Sequence, residues 1–184
     1  HEAVLGTAAL AVGADWSADR AGVAGRAADE EAAWQALLRA LERRGHATAD
    51  LRRRLLQKGH PPEAADYAIT RALQLGLLDD TAFARRFVES RAARGRGPAR
   101  LRRDLAALGV ARGPIEAALR DQWAEPDDAL PLALELARKR AKQLAGLPRE
   151  ARRRRLLAYL GRRGFSGVRV AELVTRILRG DGPA

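Results

Sequence analysis

Three times the chain places a leucine, a second leucine four residues on, and a glycine four residues beyond that: Leu51, Leu55 and Gly59; Leu101, Leu105 and Gly109; Leu156, Leu160 and Gly164. A four-residue spacing puts both leucines on one face of an α-helix. The glycine suits the position just past a helix end, where a positive φ is cheap only without a Cβ. The pattern continues beyond each glycine. Offsets of 6, 10 and 14 residues give Ala65, Ile69 and Leu73, then Ile115, Leu119 and Trp123, then Val170, Val174 and Leu178. Each set is an apolar stripe for a further helix. The repeating unit is therefore a helix, a Leu-xxx-Leu-xxx-Gly helix and a third, striped helix, with periods of 50 and 55 residues. A unit this short has a marginal core, so neighbouring units should stabilise one another by packing. No run alternates with period two long enough to make a strand. The expected fold is all-α: three tandem three-helix repeats forming an elongated, curved body.

The repeats are expected at 28–78, 79–123 and 124–180, after a lead segment at 1–27. Ala3 to Ala14 is apolar but well short of the roughly 20 residues needed to cross a bilayer, and no basic stretch precedes it as in a signal peptide. Gly13, Gly22 and Gly25 are expected to break any long helix there, leaving at most a short helix or strand. From Asp29 the pattern turns helical, with Trp34, Leu37, Leu38 and Leu41 on one stripe and Gly45 closing it. Thr48 is placed to cap the next helix. Pro61 and Pro62 permit only a helix start, and Gly76 ends the third.

The junction that follows, LGLLDDTAFARRFVESRAARGRGPARLRRDLAALG, spans Leu75 to Gly109. Asp79 and Asp80 can accept hydrogen bonds from the free N–H groups of the next helix, which explains them better than a metal pair. Phe83 and Phe87 lie on one face of that helix, and Arg85, Arg86 and Glu89 point elsewhere. Gly95 and Gly97 end it, and Pro98 suits the first position of its successor. Phe83, Phe87, Trp34 and Trp123 all fall on apolar stripes, so they are expected in the core and not as platforms for stacked bases. The longer third unit gains its residues between Trp123 and Leu156, where Glu125 to Asp128 begins an acidic linker.

Charge narrows the function. The chain carries +11 with a sequence pI near 11.3, which implies an anionic partner. Only three of its 34 basic residues are lysine, so the placement of the charge carries more than its total. The distribution is more telling: residues 28–78 carry +1, 79–123 carry +4 and 124–180 carry +8. Without cysteine there are no disulfides, zinc–thiolate sites or cysteine catalysis. Internal histidines stand only at 46 and 60, beside helix ends, and serines only at 17, 90 and 166, so no triad is suggested. GRGPAR at 95–100 lacks the preceding strand and the Lys-Ser/Thr pair of a phosphate-binding loop. No enzyme and no cofactor or metal is expected. Arginines recur beside the first leucine of each repeat: Arg52 and Arg53 with Arg54, Arg100, Arg102 and Arg103, and Arg152 and Arg153 with the two that follow. A helix N-terminus repels cations, so the recurrence points to an outside anion. Nine are the expected contacts with that anion: Arg52, Arg53, Arg85, Arg86, Arg100, Arg102, Arg103, Arg152 and Arg153.

GLLDDTAFA followed by GRGPARLRRDLAALGV resembles the signature of the RecX family, regulators of the RecA recombinase, and the similarity runs from about residue 30 to 180. Residues 1–27 carry no clear family pattern. The resemblance implies a cytoplasmic, monomeric protein that binds the RecA–DNA filament and lowers its ATPase, strand-exchange and co-protease activities in DNA repair and the SOS response, with weak, sequence-nonspecific contact to single- and double-stranded DNA and none to a membrane. The alternative is a stand-alone sequence-nonspecific DNA-binding or transcription-regulatory protein, since glycine-bounded three-helix units can mimic helix-turn-helix modules. Readers of base sequence usually use Asn, Gln or Arg on one recognition helix. Here there is no asparagine, and the basic positions recur over three units.

Overall fold

The computed structural model describes residues 2–180, with side chains described from residue 22 onward except residue 126. Among these residues every regular element is helical, and they divide into two compact units at Asp79/Asp80. The first holds α1 (Glu2–Arg43), α2 (Thr48–Gln57) and α3 (Pro62–Gln74). The second holds two repeats: α4 (Asp80–Ala92), α5 (Pro98–Ala107) and α6 (Arg112–Gln122), then α7 (Leu130–Gln143), α8 (Arg149–Arg163) and α9 (Val168–Arg179).

In the first unit α1 packs along α3 and both cover α2. The core is Trp34 and Leu37 from α1, Leu51 and Leu55 from α2, and Ala65, Ala68, Ile69 and Ala72 from α3. Three expectations fail here. The lead segment is not broken at its glycines, because α1 runs unbroken for 42 residues. An isolated glycine costs only about 1 kcal/mol in a helix, and no proline interrupts this alanine-rich stretch. Gly22 and Gly25 face open space, so packing does not demand glycine at either. Second, Leu73 is 48% exposed. At 100° per residue, a step of seven from Ala65 comes back close to the same azimuth, whereas a step of eight overshoots; Ala72 takes the buried place. Thr48 is also not a cap: it is the first helical residue, and Ala47 holds the cap position with no side-chain hydrogen bond.

The Leu-xxx-Leu-xxx-Gly signature is built the same way in all three repeats. Its six leucines are each no more than 1% exposed. Gly59, Gly109 and Gly164 have φ of 87°, 82° and 95°. After each, the next residue donates its N–H to the carbonyl of the second leucine: His60 to Leu55 at 3.2 Å, Val110 to Leu105 at 3.1 Å and Phe165 to Leu160 at 2.9 Å. The glycine N–H bonds the carbonyl of the residue after that leucine, at 2.9–3.0 Å. This is the Schellman closure, and it satisfies carbonyls that a helix end leaves without partners. One residue thus supplies both the buried side chain and the acceptor that ends the helix.

In the second unit α4 lies against α6 through small residues, with Ala84, Val88 and Ala92 buried. Phe83 and Phe87 are half-buried and not in the core. Their rings meet at a 44° tilt with centroids 5.8 Å apart, and the Arg91 guanidinium lies 4.2 Å from the Phe87 centroid. Trp123 leaves the α6 stripe through an extended φ of −140° and packs onto the third repeat's core of Ala133, Leu156, Leu160, Phe165 and Val174. The acidic stretch is not a linker. Glu125 and Asp128 form a capping box around a short 3-10 turn at Pro126–Ala129, and Asp127 accepts from Arg169 of α9 at 3.0 Å. A carboxylate that can take a backbone N–H orders its own turn.

The second and third repeats meet backbone to backbone. The Gly97 N–H donates to the Arg163 carbonyl at 2.7 Å, and the Ala99 N–H to the Gly164 carbonyl at 3.2 Å. A Cβ on Gly97 would stand 2.8 Å from the Gly164 oxygen; one on Gly164 would stand 2.4 Å from the Arg100 nitrogen. The GRGP stretch does more than turn the chain, because its second glycine is where the third repeat docks.

Candidate functional site

The arginines beside each repeat leucine do not form a set of free cations. On α2, Arg52 makes a two-pronged bond to Asp66 of α3, its Nη2 at 3.0 Å from Oδ2. Arg102 on α5 repeats the arrangement with Glu116 of α6, at 2.6 and 3.0 Å. Both pairs span 14 residues and tie the signature helix to the helix after it. The guanidiniums hold Asp66 and Glu116 below their ordinary carboxylate range. In the third repeat the matching positions are Leu157 and Ala171, so the ion pair has no counterpart there.

Other members are partnered as well. Asp50, buried in the first turn of α2, accepts from Arg53 and from Arg54 (2.7 Å), and lies 3.4 Å from His46 Nδ1. Burial raises the Asp50 carboxyl, but the bonds from Arg54 and His46 and the nearby arginine charges outweigh it, so it sits below its usual value. Burial lowers His46 below the ordinary histidine value. Arg85 pairs with Asp121 at 2.8 Å, Arg100 with Asp104 at 2.8 Å, and Arg103 donates to the Ala99 carbonyl at 3.3 Å. The recurrence of arginine therefore does not by itself demand an outside anion: at Arg52, Arg53, Arg85, Arg100 and Arg102 a carboxylate of the chain already answers the charge. The pairs of Arg52, Arg85, Arg100 and Arg102 are surface pairs, worth at most about 1 kcal/mol each, so an anion with a better claim can still compete for those cations, whereas the partner of Arg53, Asp50, is buried. Arg86 and Arg153 are exposed, and Arg152 is half-buried with its Nε making no hydrogen bond.

A denser cationic site lies where the second and third repeats dock. A groove of about 450 Å³ is lined by Arg91, Arg94, Arg96, Arg100, Arg162 and Arg163, with Tyr159 the one other lining residue. No carboxylate lines it. Arg163 closes its floor by donating to the Arg94 and Gly95 carbonyls, both at 3.2 Å. The Tyr159 ring is already covered by guanidiniums, Arg163 at 5.1 Å and Arg140 at 5.7 Å from its centroid. Only Arg100 of these six belongs to the set expected from sequence. The others stand in RAARGRG and GRRG, near the repeat boundaries but almost 70 residues apart, and only the contact of Gly97 with the α8 terminus brings them together. The density of arginine around those two glycine motifs is the one trace of the groove in the sequence.

Among the described residues no cluster of His, Asp and Glu could hold a metal, and no helix is long and apolar enough to cross a membrane. Residues 33–71, 79–119 and 127–167 match, in order, the first, second and third three-helix domains of RecX. The chain is 38% identical over 148 residues to the regulatory protein RecX of Ectopseudomonas mendocina (strain ymp), spanning 76% of this chain and 88% of that protein. It is likewise 38% identical over 144 residues to the RecX of Halorhodospira halophila, spanning 78% and 86%. Among solved structures, a regulatory protein RecX aligns with a TM-score of 0.71 at 24% identity, over 82% of this chain and 73% of that one. RecX from Lactobacillus salivarius aligns with a TM-score of 0.69 at 18% identity, over 83% and 98%; at these identities the likeness is one of fold. With all three repeat domains matched in order and relatives of this similarity along most of its length, the chain belongs to the RecX family of regulatory proteins.

Proposed function

We propose that this chain is a negative modulator of the RecA recombinase, which binds the RecA–DNA filament and lowers its ATPase, strand-exchange and co-protease activities in DNA repair and the SOS response. The observation that carries the proposal is membership of a family of regulatory proteins through all three repeats. The cationic surface supports it, since a filament offers both protein and phosphate. The chain acts by binding, with Arg86, Arg103, Arg152 and Arg153 among the exposed or half-buried cations that meet recombinase or DNA. Arg52, Arg53, Arg85, Arg100 and Arg102 contribute only where the partner's anion displaces their own carboxylates.

The test titrates the protein into RecA hydrolysing ATP on single-stranded DNA. The hydrolysis rate should fall as the protein is added, and an unchanged rate at saturation overturns the proposal. Arg86→Glu with Arg153→Glu should weaken the inhibition while leaving the thermal midpoint nearly unchanged. Reversing Arg102 is a poorer probe, because it would set two carboxylates against each other on α5 and α6. A simple DNA-binding protein is the competing explanation. Its affinity for bare DNA and for the filament would fall equally with salt, by a log–log slope of about −0.7 for each phosphate neutralised on single strands. A filament regulator loses affinity for the filament less steeply, because contacts with recombinase are not ionic throughout.

A further inference from the structure

We infer that the groove between the second and third repeats is a binding site for the phosphodiester backbone of nucleic acid, and that occupying it clamps those two repeats together. The inference rests on the nucleic-acid contact of the proposed function and gives it a place. Six guanidiniums converge on a single groove with no carboxylate in its lining. Arg94, Arg96 and Arg162 have no ion-pair partner among the described residues, unlike the clamped Arg52 and Arg102. Arg100 is answered by Asp104 from outside the lining, but the remaining like charges repel one another and a bound anion relieves them. Guanidinium is suited to the task, because its forked donors match phosphate oxygens and its charge persists at any working pH.

The ligand is a phosphate chain and not a base. Tyr159 is the one aromatic in the groove, and the Arg163 and Arg140 guanidiniums already lie 5.1 and 5.7 Å from its ring centroid, so a base would have to compete with them to stack there. No asparagine occurs in the chain, and glutamine is absent from the lining, which leaves no amide to read a base edge.

The site is composite. Arg91 to Arg100 come from the end of α4 and the start of α5, while Arg162 and Arg163 end α8. Their proximity depends on the Gly97–Arg163 and Ala99–Gly164 hydrogen bonds. A phosphate chain that touches both sets favours the docked arrangement by mass action.

The experiment uses the full chain and a fluorescein-labelled oligothymidylate, with binding followed by anisotropy across a salt series. Arg94→Gln with Arg162→Gln removes one guanidinium from each wall, both exposed, and far-UV circular dichroism checks that the helices persist. Arg176→Gln with Arg179→Gln removes the same charge from α9, outside the groove. The groove variant should bind roughly tenfold more weakly or worse, with a salt slope flatter by about 1.4, two phosphates' worth. The α9 variant should lose far less. Oligothymidylate should raise the thermal midpoint of the parent and of the α9 variant, but not of the groove variant. Equal losses in the two variants would show a diffuse cationic field and overturn the site. A glutamate-rich peptide that binds the parent as tightly as oligothymidylate, and loses as much in the groove variant, would overturn it in favour of an acidic protein segment. A parent that binds no oligothymidylate overturns the site alone, because RecA ATP hydrolysis reads the regulator separately. Conversely, intact groove binding without any effect on RecA leaves the site standing and removes the regulator.

Discussion

Three glycine-to-alanine substitutions separate what the left-handed backbone costs from what the contact between repeats contributes. Gly59 has φ of 87° and open space around a new Cβ, so Gly59→Ala reports the left-handed conformation alone, about 1–2 kcal/mol. Gly97 has an ordinary φ of −89°, yet its Cβ would meet the Gly164 carbonyl carbon and the Phe165 ring at 2.9 Å. Gly97→Ala therefore reports the junction. It pushes apart the backbones that share two hydrogen bonds, each worth a net ~0.5–1.5 kcal/mol, so the expected loss is ~1–3 kcal/mol. Gly164 combines both conditions, with φ of 95° and a Cβ 2.5 Å from that of Arg100. Gly164→Ala should then cost roughly the sum, about 2–5 kcal/mol. Urea unfolding is the assay, followed by circular dichroism and by tryptophan fluorescence. Trp34 lies in the first unit's core and Trp123 packs on the third repeat, so the two units need not unfold together. The Gly59 variant should shift the first unit's transition, and the other two the second unit's. A Gly97→Ala protein as stable as the parent, or a Gly164→Ala no worse than Gly59→Ala, would refute the close approach of the repeats.

Leu105→Ala removes a side chain with no exposed surface and should destabilise the second unit by about 2–5 kcal/mol; an unchanged urea midpoint would place that leucine outside the core. Because burial holds folded His46 below its ordinary value, the unfolded chain takes up its proton first, so stability should be full above about pH 6.5 and decline as pH falls below it. His46→Gln should flatten that part of the stability curve, and an unchanged slope would assign it to another group. Asp50, also depressed, contributes stability above the ordinary aspartate range that is lost only as pH falls further, through its folded value; Asp50→Asn should remove that acid limb. Glu116→Gln breaks the paired bond from Arg102 on an exposed face and should cost no more than about 1 kcal/mol, so a much larger shift in thermal midpoint would show that the pair organises α5 against α6.

Helix type, repeat number and the glycine closures were legible in the sequence because each depends on residues within one or two turns. Leu51 and Leu55 share a face by helical period alone, and Gly59 must follow because a left-handed residue there carries the closure. Family membership was legible for the same reason: its signature is a run of local junctions. Where the local rules leave two answers, three-dimensional packing chose. The α3 stripe settled on Ala72 instead of Leu73, and α1 continued through glycines whose modest cost the alanines around them tolerate. The fate of each arginine was wholly beyond local reach. Whether Arg52 is clamped depends on Asp66 of the next helix, and Arg94 meets Arg162 only because Gly97 lets α8 end against it. A guanidinium's charge is written in the chain, but its partner is set by what long-range docking brings within about 3 Å, and side-chain pattern along one helix carries no record of that distance.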